Sequence, residues 1–247
     1  MPNETKRRFE REIRFLQARL SPEGYLGLHL TLGMLLIIAT CWSFSEIAED
    51  FGRHSWLAAM DASAADAFHQ LVRPGLTKVV RCLTFLGSVG FVTALSLLVA
   101  SVLAARKALY ALLTFALTML GGSLLNIFLK HLFHRQRPIL ENPLVTLSSY
   151  GFPSGHTMGS TLLWGCVAIF VAGQMRSATA RALPFCLAAM WVCVVGATRI
   201  YLGAHYFTDV IGAIMAGIAW LTFCWTAVET LRRWRARHNN GTRRGRA

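Results

Sequence analysis

Long apolar runs alternate along this chain with short polar intervals, most of them basic. Crossing a bilayer as an α-helix takes about 20 consecutive, mainly apolar residues. Stretches at roughly 25–45, 81–104, 108–129, 156–173, 182–200 and 207–227 meet that need, the fourth being the shortest. The pattern predicts an all-α polytopic membrane protein with six transmembrane helices. Ahead of the first, Phe9, Ile13, Leu16 and Leu20 recur at helical spacing with Arg and Glu on the opposite face. This predicts an amphipathic helix lying in the membrane interface.

The connections differ in character. Segment 46–80 mixes Glu46, Glu49, Asp50, Asp61 and Asp66 with Trp56, Leu57, Phe68 and Leu71, and short helices capped by Pro74-Gly75 are expected there. Segment 130–155 carries Pro138, Pro143 and Pro153 and is expected to be irregular. Pro184 is placed in the first turn of the fifth span, where a missing N–H costs least. Gly121-Gly122 and the Gly212/Ala216 pair mark places where helices approach closely. The organisation is therefore an interfacial segment 1–24, a six-span domain 25–227 and a basic tail 228–247.

Composition agrees: 54% of residues are hydrophobic and 15% charged, against about 45–50% and about 25% in soluble domains. Mean hydropathy is +0.45. The net charge of +13 could suggest nucleic acid, but the basic residues crowd both termini beside apolar spans, where such clusters set orientation and touch anionic headgroups. With six spans, one face holds 17 of the 25 Lys/Arg against 5 of the 12 Asp/Glu, and the other holds 8 against 7. The positive-inside rule puts both termini in the cytoplasm. Residues 1–24 are charged and the first apolar run is full length, so no cleavable signal is expected. Cys41, Cys82, Cys166, Cys186, Cys193 and Cys224 form no ligand or redox spacing and read as small hydrophobes.

Ionisable residues inside or beside a span are costly and mark function. Three segments concentrate them at the outer helix ends: Lys130 to Pro138, Pro153-Ser154-Gly155-His156, and Arg199 to Asp209. If the third helix continues outward, Lys130 and Arg137 lie two turns apart on one face, and Pro138 turns the chain away. Ser154 is a plausible N-cap, and Gly155 lets the backbone approach an anion at the helix N-terminus. His205 and Asp209, spaced i, i+4, share a face, so the carboxylate can hold one ring nitrogen and raise the basicity of the other. Three cations, a helix N-terminus, two histidines and one carboxylate suit phosphoryl transfer, with His205 as nucleophile and His156 as acid. The cations do the work a metal would, and no metal or cofactor is expected.

These three segments, Lys130-x6-Arg137-Pro138, Pro153-Ser154-Gly155-His156 and Arg199-x5-His205-x3-Asp209, resemble in order and position the signature of the type 2 phosphatidic acid phosphatase superfamily. The resemblance implies that Lys130, Arg137, Arg199, Ser154 and the Gly155 amide bind phosphate. It implies that His205 becomes phosphorylated, that Asp209 orients it and that His156 protonates the leaving group. Thr198 stands where the family often has Ser. His131, His134 and Arg135 are expected to face solvent or headgroups, with no chemistry assigned.

Other readings share these residues. A lipid-to-lipid phosphotransferase would use the same site, soluble vanadium haloperoxidases carry the same signature without six spans, and a non-catalytic lipid transporter would leave it idle. An outer-face site suits undecaprenyl pyrophosphate, phosphatidylglycerophosphate, phosphatidic acid or a lipid A phosphate. Similarity to compact bacterial members puts undecaprenyl pyrophosphate first and implies a bacterial plasma-membrane protein. The oligomeric state is left open.

Overall fold

Apolar residues too numerous for one core can only be arranged as helices that face lipid outward and each other inward. The computed structural model, which describes residues 27–50, 56–139, 144–145 and 147–244, has this form. Its helices are α1 (Leu28–Glu49), α2 (Trp56–His69), α3 (Pro74–Phe85), α4 (Val89–Ala105), α5 (Leu109–Phe133), α6 (Gly155–Ala172), α7 (Ala178–Tyr201) and α8 (Phe207–Arg244). No strand occurs among the described residues. Among the described residues six stretches are long and apolar enough to cross a membrane: α1, α3 with α4, α5, α6, α7, and α8 as far as His238. The expected amphipathic helix at 5–20 and Pro143 lie outside the described residues.

Two local expectations are corrected. Pro74 does not cap a preceding helix; it occupies the first turn of α3, where proline has no N–H to waste. α3 then runs almost directly into α4, with Ser88 capping the second helix through the Phe91 amide at 3.3 Å. Pro184 lies inside α7, because that helix starts earlier at Ala178, where Ser177 accepts a hydrogen bond from the Ala180 amide at 3.1 Å. α8 continues without a break through the basic segment that follows residue 227.

The helix α6 is the hub, packed against α4, α5, α7 and α8, while α1 lies along α8. Met158, Leu162, Leu163 and Cys166 of α6 join Phe115 of α5 and Ala213 of α8 in one buried cluster. Small residues permit this closeness, as expected. A Cβ on Gly121 or Gly122 would run into Trp220 and Leu162, and one on Gly212 into Phe152. The opposite face of α5 exposes Leu120, Leu124, Ile127 and Phe128, a continuous apolar stripe suited to lipid contact. All six cysteines are free.

Candidate active site

The three ionisable segments come from distant parts of the chain but meet at one end of the bundle. The first does not stay helical as far as Arg137: α5 stops at Phe133 and His134 takes a left-handed conformation, φ 47°, as its cap. That turn, unusual for a residue with a Cβ, sends Arg135 and Arg137 inward on extended chain. Lys130 and Arg137 still converge, because the Lys130 ammonium and Arg137 Nη2 both donate to the Tyr150 carbonyl. Arg137 is further held by the Ser149 carbonyl at 2.7 Å and the Ala204 carbonyl at 2.6 Å.

A cis peptide joins Phe152 to Pro153 just before α6. Phe152, fully buried, sits between Phe44 and Phe133 and over Gly212. The Ser154 amide donates to the Asp209 carbonyl at 3.1 Å, tying the α6 N-terminus to α8. Ser154 occupies the N-cap position without a side-chain capping bond; its hydroxyl accepts from Thr157 at 3.0 Å. Asn126 of α5 braces the same turn through the Pro153 carbonyl at 3.4 Å. His156, in the first turn of α6, makes no hydrogen bond among the described residues. It lies close enough to Arg199, His205, Arg137 and Lys130 to feel their charges.

His205 is 3% exposed and Asp209 is fully buried. His205 Nδ1 lies 3.3 Å from Asp209 Oδ2, which also accepts the Tyr206 amide at 3.0 Å. On its other side, His205 Nε2 faces Arg137 Nη1 at 3.1 Å. A carboxylate accepts only and a guanidinium donates only, so these neighbours assign the tautomer: Nδ1 carries the proton and Nε2 the lone pair. Burial pushes the imidazole down to about 4 from the ordinary 6.5. Asp209 opposes that shift, while Arg137 and Arg199 reinforce it. At neutral pH the ring is therefore an uncharged base with its lone pair aimed among cations.

Arg199 is 2% exposed. Its Nη1 donates to Thr84 of α3 at 2.9 Å, but Nε and Nη2 have no partner among the described residues. Unpaired buried donors are rare and costly, so the pocket is built to receive acceptors from elsewhere. Thr198, beside it, bonds the Val195 carbonyl at 2.6 Å and takes no part.

Arg135 overturns the expectation that it faces solvent. Its Nη1 donates to Asp209 Oδ1 at 2.5 Å and Thr208 Oγ1 at 2.7 Å, and its Nη2 to Asp61 Oδ2 at 2.7 Å. Asp61, buried in α2, also accepts from the Thr208 amide at 2.8 Å and its hydroxyl at 2.7 Å. Tyr206 covers the guanidinium, its ring centroid 4.6 Å from Cζ. Sequence reading missed Asp61, Arg135, Thr84 and Asn126. Only Asp61 carried a signal, being an acid on the apolar side of a short helix. His131 and His134 remain exposed and meet the Tyr150 ring edge to face.

Phosphatidylglycerophosphatase B of Bacillus subtilis (strain 168) is 29% identical over 159 residues, covering 64% of this chain and 78% of that protein. The crystal structure of a transmembrane PAP2-type phosphatidylglycerolphosphate phosphatase from Bacillus subtilis superposes with a TM-score of 0.69 at 27% identity, over 76% of this chain and 93% of that one. Aquifex aeolicus LpxE shares the fold, with a TM-score of 0.52 at 23% identity, over 66% of this chain and 93% of that one. The family model of the PAP2 superfamily matches residues 107–233, which hold all three ionisable segments, and the chain belongs to that superfamily.

Proposed function

We propose that this integral membrane protein removes a terminal phosphate from a membrane lipid through a phosphohistidine formed at His205. Lipid phosphate hydrolysis follows from family membership and from the phosphatases it resembles. The observation that carries the site assignment is Arg199, a buried guanidinium with two donors unpartnered among the described residues, close enough to His205 to act on its charge.

In this scheme Arg199, Arg137 and Lys130 take the non-bridging phosphate oxygens, and the Ser154-Gly155 turn at the α6 N-terminus adds amide donors. Arg137 exchanges its contact with His205 Nε2 for a phosphate oxygen. Nε2 then attacks phosphorus, forming the N–P bond as the P–O bond to the leaving group breaks, and His156 delivers the proton to the departing oxygen. Asp209 holds Nδ1–H and stabilises the imidazolium character that develops. Arg135, fixed by Asp61, positions Asp209. His156, now the base, takes a proton from a water whose oxygen attacks phosphorus; the N–P bond breaks, its electron pair returns to Nε2, and phosphate leaves. The three cations neutralise the transferring group, so the scheme needs no metal.

The substrate class is a lipid ending in a phosphate or pyrophosphate. The named relatives point to phosphatidylglycerophosphate, and analogy with compact bacterial members of the family to undecaprenyl pyrophosphate. The asymmetry of basic residues supports cytoplasmic termini and a site on the periplasmic or extracellular face. Phosphate release from a panel of these lipids in detergent, with EDTA and with vanadate, tests the reading. Activity that survives EDTA and falls with vanadate is expected. Loss with EDTA, or phosphate recovered on a second lipid instead of in solution, overturns the metal-free hydrolase.

A further inference from the structure

A cavity of about 1160 Å³ opens toward the end of the bundle opposite His205. It lies between the first half of α1 and α7, floored by α6 and α8, and reaches from Thr161 to Gly173 along α6. Those twelve steps of helix span about 18 Å, a little more than half the hydrocarbon thickness of about 30 Å. The walls are almost wholly apolar. Leu32 and Leu36 on α1 and Phe185 on α7 are also among the well-exposed residues, so the cavity is a cleft open sideways toward lipid.

Its outer end is different. Arg181, Arg232 and Arg233 stand there with His29. Arg232 and Arg233 share the single carboxylate of Glu229, at 2.8 and 2.6 Å. Arg181 bonds only the Met175 carbonyl at 3.0 Å among the described residues. Arg181 thus has no acidic partner among the described residues and stands beside two further guanidiniums. His29 adds a buried Nδ1 without a partner among the described residues, while its Nε2 meets Thr230 at 3.2 Å. An apolar slot one leaflet deep, ending in a cluster of guanidiniums led by Arg181, matches one kind of molecule: an amphiphile with an anionic head.

We propose that this cleft binds an anionic phospholipid of the leaflet opposite the active site, with its acyl chains between α1 and α7 and its phosphate at Arg181, Arg232 and Arg233. The bound lipid fills the cleft between α1 and α7, and so stabilises the bundle. It is not the reacting lipid, because His205 lies at the opposite end of α6.

Thermal unfolding of the delipidated full chain in zwitterionic detergent tests this, with phosphatidylglycerol, phosphatidylcholine of the same acyl chains, or soluble glycerophosphate added. Phosphatidylglycerol is expected to raise Tm saturably by about 5 °C or more, with little change from the other two. The response should vanish in the Arg181→Ala/Arg233→Ala double variant and in Ala189→Trp, whose side chain fills the cleft. Native mass spectrometry of the unmodified chain should retain one phosphatidylglycerol, which keeps the test decisive if Ala189→Trp does not fold. An equal rise with phosphatidylcholine would mean ordinary annular lipid. A response to soluble glycerophosphate would mean an anion site without a lipid slot. Either result, or a shift that survives in the double arginine variant, overturns the proposal.

Discussion

Arg135 Nη1 lies 2.5 Å from Asp209 Oδ1, on the oxygen that His205 does not use. The carboxylate is thereby shared: one oxygen answers to a cation anchored on α2, the other to the imidazole. Neither oxygen can rotate away without breaking a charge-assisted bond in a buried site. Arg135→Lys should keep the charge but lose the fork that spans Asp61 and Asp209. We expect kcat to fall by about 10²-fold, from displacement of His205, with a much smaller change in KM. Steady-state kinetics on a detergent-solubilised lipid phosphate checks this. An unchanged kcat in a folded variant would remove Arg135 from the mechanism. Because a lone buried charge destabilises by about 3–5 kcal/mol, unfolding must be followed in parallel, and the Asp61→Asn/Arg135→Lys pair should be less than additive.

His205 should be the residue that carries phosphate. Stopping the reaction with labelled substrate should trap a phosphoryl group that survives alkali and is lost in acid, as an N–P bond requires. His205→Ala should show neither label nor turnover. Label persisting in that variant places the nucleophile elsewhere.

His156 should matter in proportion to how poor the leaving group is. On a lipid alkyl phosphate, His156→Ala should lose about 10²–10⁴-fold, the usual share of general acid catalysis. On an aryl phosphate whose phenolate leaves unaided, the first product burst should be nearly preserved. Equal losses on both substrates would make His156 a binding residue instead.

Burial holds His205 near 4 against an ordinary 6.5. Since the folded value is the lower one, the neutral ring's contribution to stability is fully present above about 6.5. It is lost as pH falls through about 4. The same depression keeps Nε2 available as a nucleophile into mildly acid solution. NMR of ring-labelled histidine should show the His205 ring, assigned by its loss in His205→Gln, staying neutral down to about pH 4. If that ring titrates near 6.5, the site is wetter than its burial implies.

Arg199→Gln should weaken vanadate by about 10–100-fold, the worth of a charge-assisted bond or two in a site closed to water. Thr84→Val, which removes only the brace on Nη1, should do so far less. Vanadate inhibition constants measured side by side decide this, and equal effects would mean that the brace, not the donors, sets affinity.

Much of this was legible along the chain. Six spans followed from apolar length alone, because lipid leaves the backbone no alternative to internal hydrogen bonding. The three polar segments stood out because a charge beside a span must have a use. His205 and Asp209 could be paired on paper, since four residues of local chain separate them. Arg135 could not: its position next to three other polar side chains suggested headgroups, and its actual partners, Asp61 and Asp209, each lie 74 residues away. Only packing of α2 against α8 brings those acids to within reach of one guanidinium. Local spacing also misplaced the α5 terminus, because the left-handed turn at His134 is settled by what Arg135 and Arg137 reach, not by helix propensity. Sequence alone determined which residues carry charge into the membrane and at which end of the bundle. Tertiary structure decided which of those charges neutralise one another and which, like Arg199 with its two open donors, are left facing the site.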